Sequence, residues 1–328
     1  MQLAIQCKLS DFLPGRNAPL IAMLHEIGVP NLDLEVELAS VLSADEWQET
    51  QRTLETNGLR AVSVHVPCLM KLPEWSFDES GLEQARLVMD RAKRLRAEFI
   101  TFVVDPPPPV GMTVDVARRH FEQGVDLLLP EAEQRGLHSA FYNPGSYSAA
   151  FFGQAQYLQQ LCEKYSPRAK LTFDIGNWVV AGELIENAVE LLAPWISVVH
   201  IKDWTLISSS SSVASQTRSG IRRFVRHLVT HSPLSGLARA IGRGLKLKRF
   251  LPTGATAIDG AWYQGAVIGD GFLDHRTTLS HLKQVNFTGY VCVEYEGPEN
   301  HVEALRRGAR VVQGLLRELS PQVASSAK

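Results

Sequence analysis

The chain of 328 residues carries 33 Lys and Arg against 35 Asp and Glu, a formal charge of -2, with 45% apolar and 21% charged residues. This is the composition of a globular protein with a large core, and the balanced charge points to neither nucleic acid nor a membrane as partner. No run approaches the roughly 18 apolar residues of a membrane span. The start MQLAIQCKLSDF lacks a basic head and long apolar stretch, so a secretory leader is not expected. Cys7, Cys68, Cys162 and Cys292 lie far apart with no CxxC pair, neither a disulfide framework nor a zinc ribbon. Reduced thiols in a cytoplasm are the expectation.

Short apolar, β-branched runs alternate with amphipathic stretches from end to end. Strands are predicted at Leu3–Cys7, Leu32–Glu37, Arg60–Val66, Phe99–Asp105, His138–Asn143, Lys170–Asp174, Ile196–Lys202 and Tyr290–Tyr295. Helices are predicted at Pro19–Ile27, Ala44–Asn57, Gly81–Leu95, Val114–Arg135, Gly153–Tyr165, Glu183–Leu192, His275–Val285 and Val302–Leu319. Ser43 with Glu46 three residues on makes a capping box, and Asn57-Gly58 is a stop. Strand-then-helix units imply parallel strands with right-handed crossovers, and eight of them close into an α/β fold, the (β/α)8 barrel. Near-continuous apolar strands, buried on both faces, agree with this. An open doubly wound sheet is the rival, but KLSDFLPG rather than a glycine-rich phosphate loop follows the first strand.

Two stretches break the repeat. Pro106–Pro109 is expected to be a rigid, extended loop. Thr205–Ile258 far exceeds the roughly two to six residues usual for such connections. It opens with serines through Ser212, then runs basic from Arg218 to Arg249 with no acid before Asp259. Ile221, Phe224, Val225, Leu228 and Val229 fall at helical spacing, and Leu234, Leu237, Ala238, Ile241 and Leu245 suggest a second helix. The expectation is a single barrel over 1–319, interrupted after strand seven by a basic helical insertion at 205–258, with a flexible tail at 320–328.

Barrels of this kind draw their catalytic groups from the carboxyl-terminal ends of several strands. The polar residues there are Glu35 and Glu37, His65, Asp105, Tyr142 and Asn143, Asp174 and Asn177, His200 and Lys202, Glu294 and Glu296. Alternation puts His200 and Lys202 on one face, and Glu294 and Glu296 on one face. A buried unpaired carboxylate or imidazole is costly, so these groups need partners. Carboxylate, imidazole and carboxylate converging from strands six, seven and eight suit a divalent cation. Asp174 and His200 bonded merely to each other is the alternative. His65 in SVHVP is a candidate substrate contact or a satisfied rim histidine, and Glu37 a substrate contact or a solvated side chain.

The segments LTFDIGNWVVAGE, VVHIKDW, VIGDGFLDHRTTLSHLKQVNFTGYVCVEYEG and, more loosely, GVPNLDLEV resemble the xylose-isomerase-like TIM barrel superfamily, in particular its sugar phosphate isomerase/epimerase group. The resemblance covers the chain apart from the insertion. It implies a divalent metal held by Glu, Asp, His and Glu from strands five to eight, the last three falling on Asp174, His200 and Glu294. It places Lys202 close to substrate and matches Ile268–Gly271 to the family's Gly-Glu-Gly turn. Tyr142 stands where the strand-five Glu is expected, which removes half of a two-base arrangement. Asn177 stands where many relatives carry a substrate- or metal-contacting His, and so few histidines argue against a multi-zinc nuclease site.

Two functions follow. The first is an enzyme acting on a sugar, polyol or related hydroxy-carbonyl compound, phosphorylated or not, with one ion (Mn, Mg, Co or Zn). Glu294, Lys202 and Tyr142 would be its catalytic groups and His65, Asn177 and Glu37 its substrate contacts. Isomerisation, epimerisation or dehydration are the candidate reactions. The second is a catalytically weakened barrel whose basic insertion binds an anionic ligand, nucleic acid or membrane surface. Neither settles whether the chain forms a homo-oligomer.

Overall fold

The computed structural model describes residues 1–13, 15–36, 43–145, 148–208, 255–257 and 260–320. The strands are β1 (Gln2–Lys8), β2 (Asn31–Glu35), β3 (Arg60–Lys71), β4 (Ser76–Phe77), β5 (Phe99–Asp105), β6 (His138–Tyr142), β7 (Ala169–Asp174), β8 (Ile196–Ile201), β9 (Asp203–Ser208), β10 (Ala255–Thr256), β11 (Trp262–Ala266) and β12 (Tyr290–Val293). Eight of them pair in the order β2-β1-β12-β8-β7-β6-β5-β3, all parallel, and β2 pairs β3 to close the ring. The expected (β/α)8 barrel is thus the observed fold.

Helices α1 (Ala18–Ile27), α2 (Ala44–Thr56), α3 (Glu79–Arg94), α4 (Val114–Gln134), α5 (Ala149–Phe152), α6 (Ala155–Tyr165), α7 (Ile175–Val180), α8 (Ile185–Leu192), α9 (His275–Gln284) and α10 (His301–Leu319), with a short 3-10 helix at Leu9–Phe12, complete the described elements. Local chemistry sets their ends. Ser43 Oγ accepts from the Glu46 amide at 3.3 Å, and Glu46 Oε2 accepts from the Ser43 amide at 2.9 Å, satisfying two donors that start α2. On α3, Leu82, Ala85, Val88, Met89 and Ala92 are all buried, so the predicted stripe is the face on the barrel. None of the described helices is long and apolar enough to cross a membrane.

Inside the ring, Ala4, Val62, Phe99, Val198, Tyr290 and Cys292 fill the end formed by the strand starts. Above them, Ser63 Oγ, Thr101 Oγ1 and Thr172 Oγ1 form a buried hydroxyl chain with links of 3.1 and 2.8 Å. The ionisable groups therefore sit on a packed polar floor at the carboxyl-terminal end.

Four details depart from expectation. Strand β3 continues past Val66 through Pro67 to Lys71, where its end pairs antiparallel with β4. Strand β2 stops at Glu35, and Glu37 lies outside the described residues. The short helix α7 follows β7 without a gap, because Asp174 Oδ1 accepts from the Asn177 amide at 3.0 Å and caps it. Finally, the stretch from Thr205 opens as strand: β9 pairs antiparallel with β11, and β11 with β10. Serines 209–212, the two helices expected in the insertion, its basic run and tail residues 321–328 lie outside the described residues.

Asp203, at the root of β9, ties this small sheet to the barrel. Its carboxylate accepts from the amides of Gly269 (3.0 Å), Gly271 (3.0 Å), Leu273 (3.2 Å) and Trp204 (2.8 Å), and His275 Nε2 lies 3.1 Å away. This explains the glycines of the IGDG turn. Gly269 has φ +95, and a Cβ on Gly271 would stand 2.1 Å from Asp203 Oδ1 and 2.6 Å from the Trp204 carbonyl oxygen. Gly271→Ala is expected to cost about 1–3 kcal/mol through this overpacking, read as a lowered urea midpoint with unchanged slope.

Candidate active site

Strand alternation turns Asp33 of β2, His65 of β3, Tyr142 of β6, Asp174 of β7, His200 of β8 and Glu294 beyond β12 into the barrel, together with Lys202 beyond β8. Strands β2 and β8 are separated in the sheet by β1 and β12, so contact between Asp33 and His200 crosses the interior. Asp33, Asp174 and His200 are 0% exposed, and Lys202 and Glu294 3%. At this depth each charge needs an opposite one.

His200 stands between two carboxylates. Its Nδ1 is 3.1 Å from Glu294 Oε2 and its Nε2 is 2.7 Å from Asp33 Oδ2. Burial opposes the imidazolium, but the two carboxylates outweigh it and push the pKa up to about 10. His65 Nε2 reaches the same Asp33 Oδ2 at 2.9 Å, and the two imidazoles stack at 5.7 Å with 11° between planes. Burial alone would raise the Asp33 carboxyl; the paired imidazoles hold it well below the usual carboxylate range.

Lys202 is the second cation. Its Nζ lies 2.9 Å from Asp174 Oδ2, 3.1 Å from Glu294 Oε1 and 3.1 Å from Glu296 Oε2. Burial disfavours its charge, yet three carboxylates keep it protonated well above the ordinary lysine range. Burial would raise Glu294 too, but Lys202 and His200 bring it down to about 2. Helix α7 packs against the Lys202 stem only because residue 176 is glycine: a Cβ there would meet Lys202 Cγ at 2.4 Å.

Asp174 is held on all sides. Its Oδ1 caps α7, its Oδ2 accepts from the Tyr142 hydroxyl at 2.8 Å, and its backbone exchanges bonds of 2.7 and 2.8 Å with the Asn143 side chain. Asn177 Nδ2 donates to Tyr142 Oη at 2.8 Å and to the Asn143 carbonyl at 2.9 Å. Tyr142 is thereby oriented as donor to Asp174 and acceptor from Asn177. Burial and the nearby Asp174 charge raise its pKa well above the phenol range.

Of the residues singled out from sequence, Tyr142, Asp174, Asn177, His200, Lys202 and Glu294 come together in one network, and His65 joins it through Asp33. Glu37 lies outside the described residues. Asp33 was missed, although it shares strand parity with Glu35 and interrupts the apolar run Leu32 to Leu34. Asn143 and Glu296 were recognised as strand-end polar residues without a role.

Three donor atoms, one each from Asp174, His200 and Glu294, lie within 4.8 Å of one another, and so do three from Asp33, His65 and His200. Two carboxylates and an imidazole are a donor set that Zn²⁺, Mn²⁺ or Mg²⁺ accepts. The first group therefore fits a divalent ion.

A closed parallel barrel with ionisable groups gathered at the strand ends defines a (β/α)8 protein of the enzyme-bearing type. Residues 21–315 match the family described as "Xylose isomerase-like TIM barrel". The chain belongs to that family. Among curated proteins, none matches the sequence. Similar solved structures include the IolI protein with a bound zinc atom, at 13% identity and TM-score 0.66, covering 98% of this chain and 100% of that one. The 3-keto-D-glucoside 4-epimerase YcjR from E. coli gives 13% identity and TM-score 0.63, covering 96% and 99%. The probable 3-DHS dehydratase AsbF from Bacillus anthracis gives 13% identity and TM-score 0.62, covering 95% and 99%. At these identities the likeness establishes the fold. Enzymes of several reaction types, an epimerase and a probable dehydratase among them, share it.

Proposed function

We propose that the chain is an enzyme of the isomerase or dehydratase type, acting in the cytoplasm on a sugar, polyol or related hydroxy-carbonyl compound. The observation that supports this best is the convergence of Asp174, His200 and Glu294 at the barrel mouth. These three would hold one divalent ion, which when bound supplies Lewis-acid polarisation of a substrate carbonyl. The four cysteines are buried and free, in keeping with a reducing compartment.

The protein's own groups divide the remaining work. Glu294, its carboxyl held below the usual range by Lys202 and His200, would accept a proton from carbon. Lys202 keeps its protons beside Glu294 and Glu296 and can donate to a developing oxyanion. Tyr142 spends its O–H on Asp174, so its contribution is to hold that carboxylate in place. One carboxylate base and one ammonium donor suffice for isomerisation or dehydration. Two-base epimerisation needs a second carboxylate, and β6 ends in tyrosine.

Elemental analysis and Mn²⁺ calorimetry test this reading. Wild-type protein is expected to bind a near-stoichiometric divalent ion. His200→Ala should weaken binding by more than about 100-fold, since even groups behind the ligands contribute roughly 10–100-fold. Incubating the loaded enzyme in D2O with ketoses, aldoses and polyol-derived ketones, followed by NMR, should show solvent exchange next to a carbonyl. Ion binding indifferent to His200 would sink the proposal and favour a binding role for the basic insertion.

A further inference from the structure

Asp33 has no part in the Asp174, His200 and Glu294 set, yet it is completely buried and contacts two imidazoles, His65 on the neighbouring strand β3 and His200 across the barrel interior. A buried carboxylate costs several kcal/mol unless it is paired, so its presence calls for a structural or functional reason. The distances indicate one. Asp33 Oδ2 lies 2.7 Å from His200 Nε2, an ion-pair contact that sets which ring nitrogen faces Asp33, although Nε2 does not reach hydrogen-bond geometry with it. The nitrogen left to face Glu294, 3.1 Å away, is Nδ1.

We propose that Asp33, braced by His65, is a positioning residue that fixes the His200 ring with Nε2 turned to Asp33 and Nδ1 turned to the metal-binding carboxylates. The inference rests on the metal reading above. Every other member of the donor set already has such a support. Asp174 is held by Tyr142, Asn143 and the Asn177 amide, and Glu294 by Lys202. Asp33 does the same for the imidazole, the carboxylate–histidine arrangement that orients ligands in metal sites.

His65 has a place in this. Its Nε2 reaches the same oxygen, Oδ2, at 2.9 Å, and its ring stacks on that of His200. It therefore braces the Asp33 carboxylate from the neighbouring strand β3. Asp33 Oδ1 has no hydrogen-bond partner among the described residues, so both imidazoles depend on one oxygen. On this account the role expected for His65 in substrate contact gives way to bracing.

The test uses the full chain, with Co²⁺ as the probe. Asp33→Asn can keep an oxygen facing both imidazoles but removes the negative charge that holds them. Co²⁺ affinity should fall by about 10–100-fold, and His65→Gln should give a smaller loss in the same direction. In metal-free wild-type protein, ¹⁵N-histidine NMR should show His200 Nε2 protonated and shifted by the adjacent Asp33 carboxylate, a signature that Asp33→Asn changes. Co²⁺ affinity in Asp33→Asn within about threefold of wild type would overturn the proposal. So would an unprotonated His200 Nε2 in the wild-type spectrum, a measurement that needs no variant to fold. Wild-type protein that binds no Co²⁺ but shows the Nε2 signature would overturn the metal reading and leave the orientation of His200 standing.

Discussion

Lys202→Met should destabilise the metal-free protein by about 3–5 kcal/mol, the usual cost of removing one partner from a buried ion pair. The ammonium lies 2.9 Å from Asp174 and 3.1 Å from Glu294, and both carboxylates are buried. Methionine fills the stem's volume but leaves those charges facing each other. The sign of the metal response discriminates further. A divalent ion would replace the lost charge, so Mn²⁺ should raise the urea midpoint of the variant more than that of wild type. Turnover should vanish in either state, because the proton donor is gone. Wild-type stability together with a wild-type response to Mn²⁺ would show that Lys202 is not the cation neutralising this site.

Asp203→Ala should cost about 3 kcal/mol or more by a different route. The carboxylate satisfies backbone amides of Gly269, Gly271, Leu273 and Trp204, and a lost acceptor leaves part-buried donors each costing about 1–3 kcal/mol. The loss should depend on pH with a definite sign. Burial opposes the charge on Asp203, but His275 and the amide donors outweigh it and lower its pKa below the usual carboxylate value. Its stabilising contribution is therefore complete above the unfolded pKa of about 3.9 and disappears as pH falls through the folded value. The gap between wild type and variant in urea denaturation should be widest near neutrality and narrow below about pH 4. A gap that stays constant with pH would show that the charge is not what ties the 269–273 turn to β9.

The two residues illustrate what could be read in advance. Asp203 stands in the VVHIKDW segment, and the IGDG turn was visible as a motif. That one binds the other was not legible, because 66 residues separate Asp203 from Gly269 and no local spacing records the contact. Lys202 was likewise assigned to the correct face by strand alternation. Its three carboxylate partners come from β7 and from beyond β12, and only ring closure brings them within 3.1 Å.

The sequence by itself determined the eightfold alternation, hence the barrel, while its resemblance to a family singled out the group Asp174, His200 and Glu294. The alternation is written in short-range patterns: apolar periodicity, caps and the two-residue repeat of a strand. The tertiary structure alone decided the placement of Asp33. Its partner His65 lies 32 residues away on the neighbouring strand, and His200 lies three strands round the ring. It also decided Tyr142, whose hydroxyl is turned onto Asp174 by Asn177. Strand parity fixes the wall from which a side chain projects. The partner it meets in the interior depends on closure and packing, which no local stretch of sequence encodes.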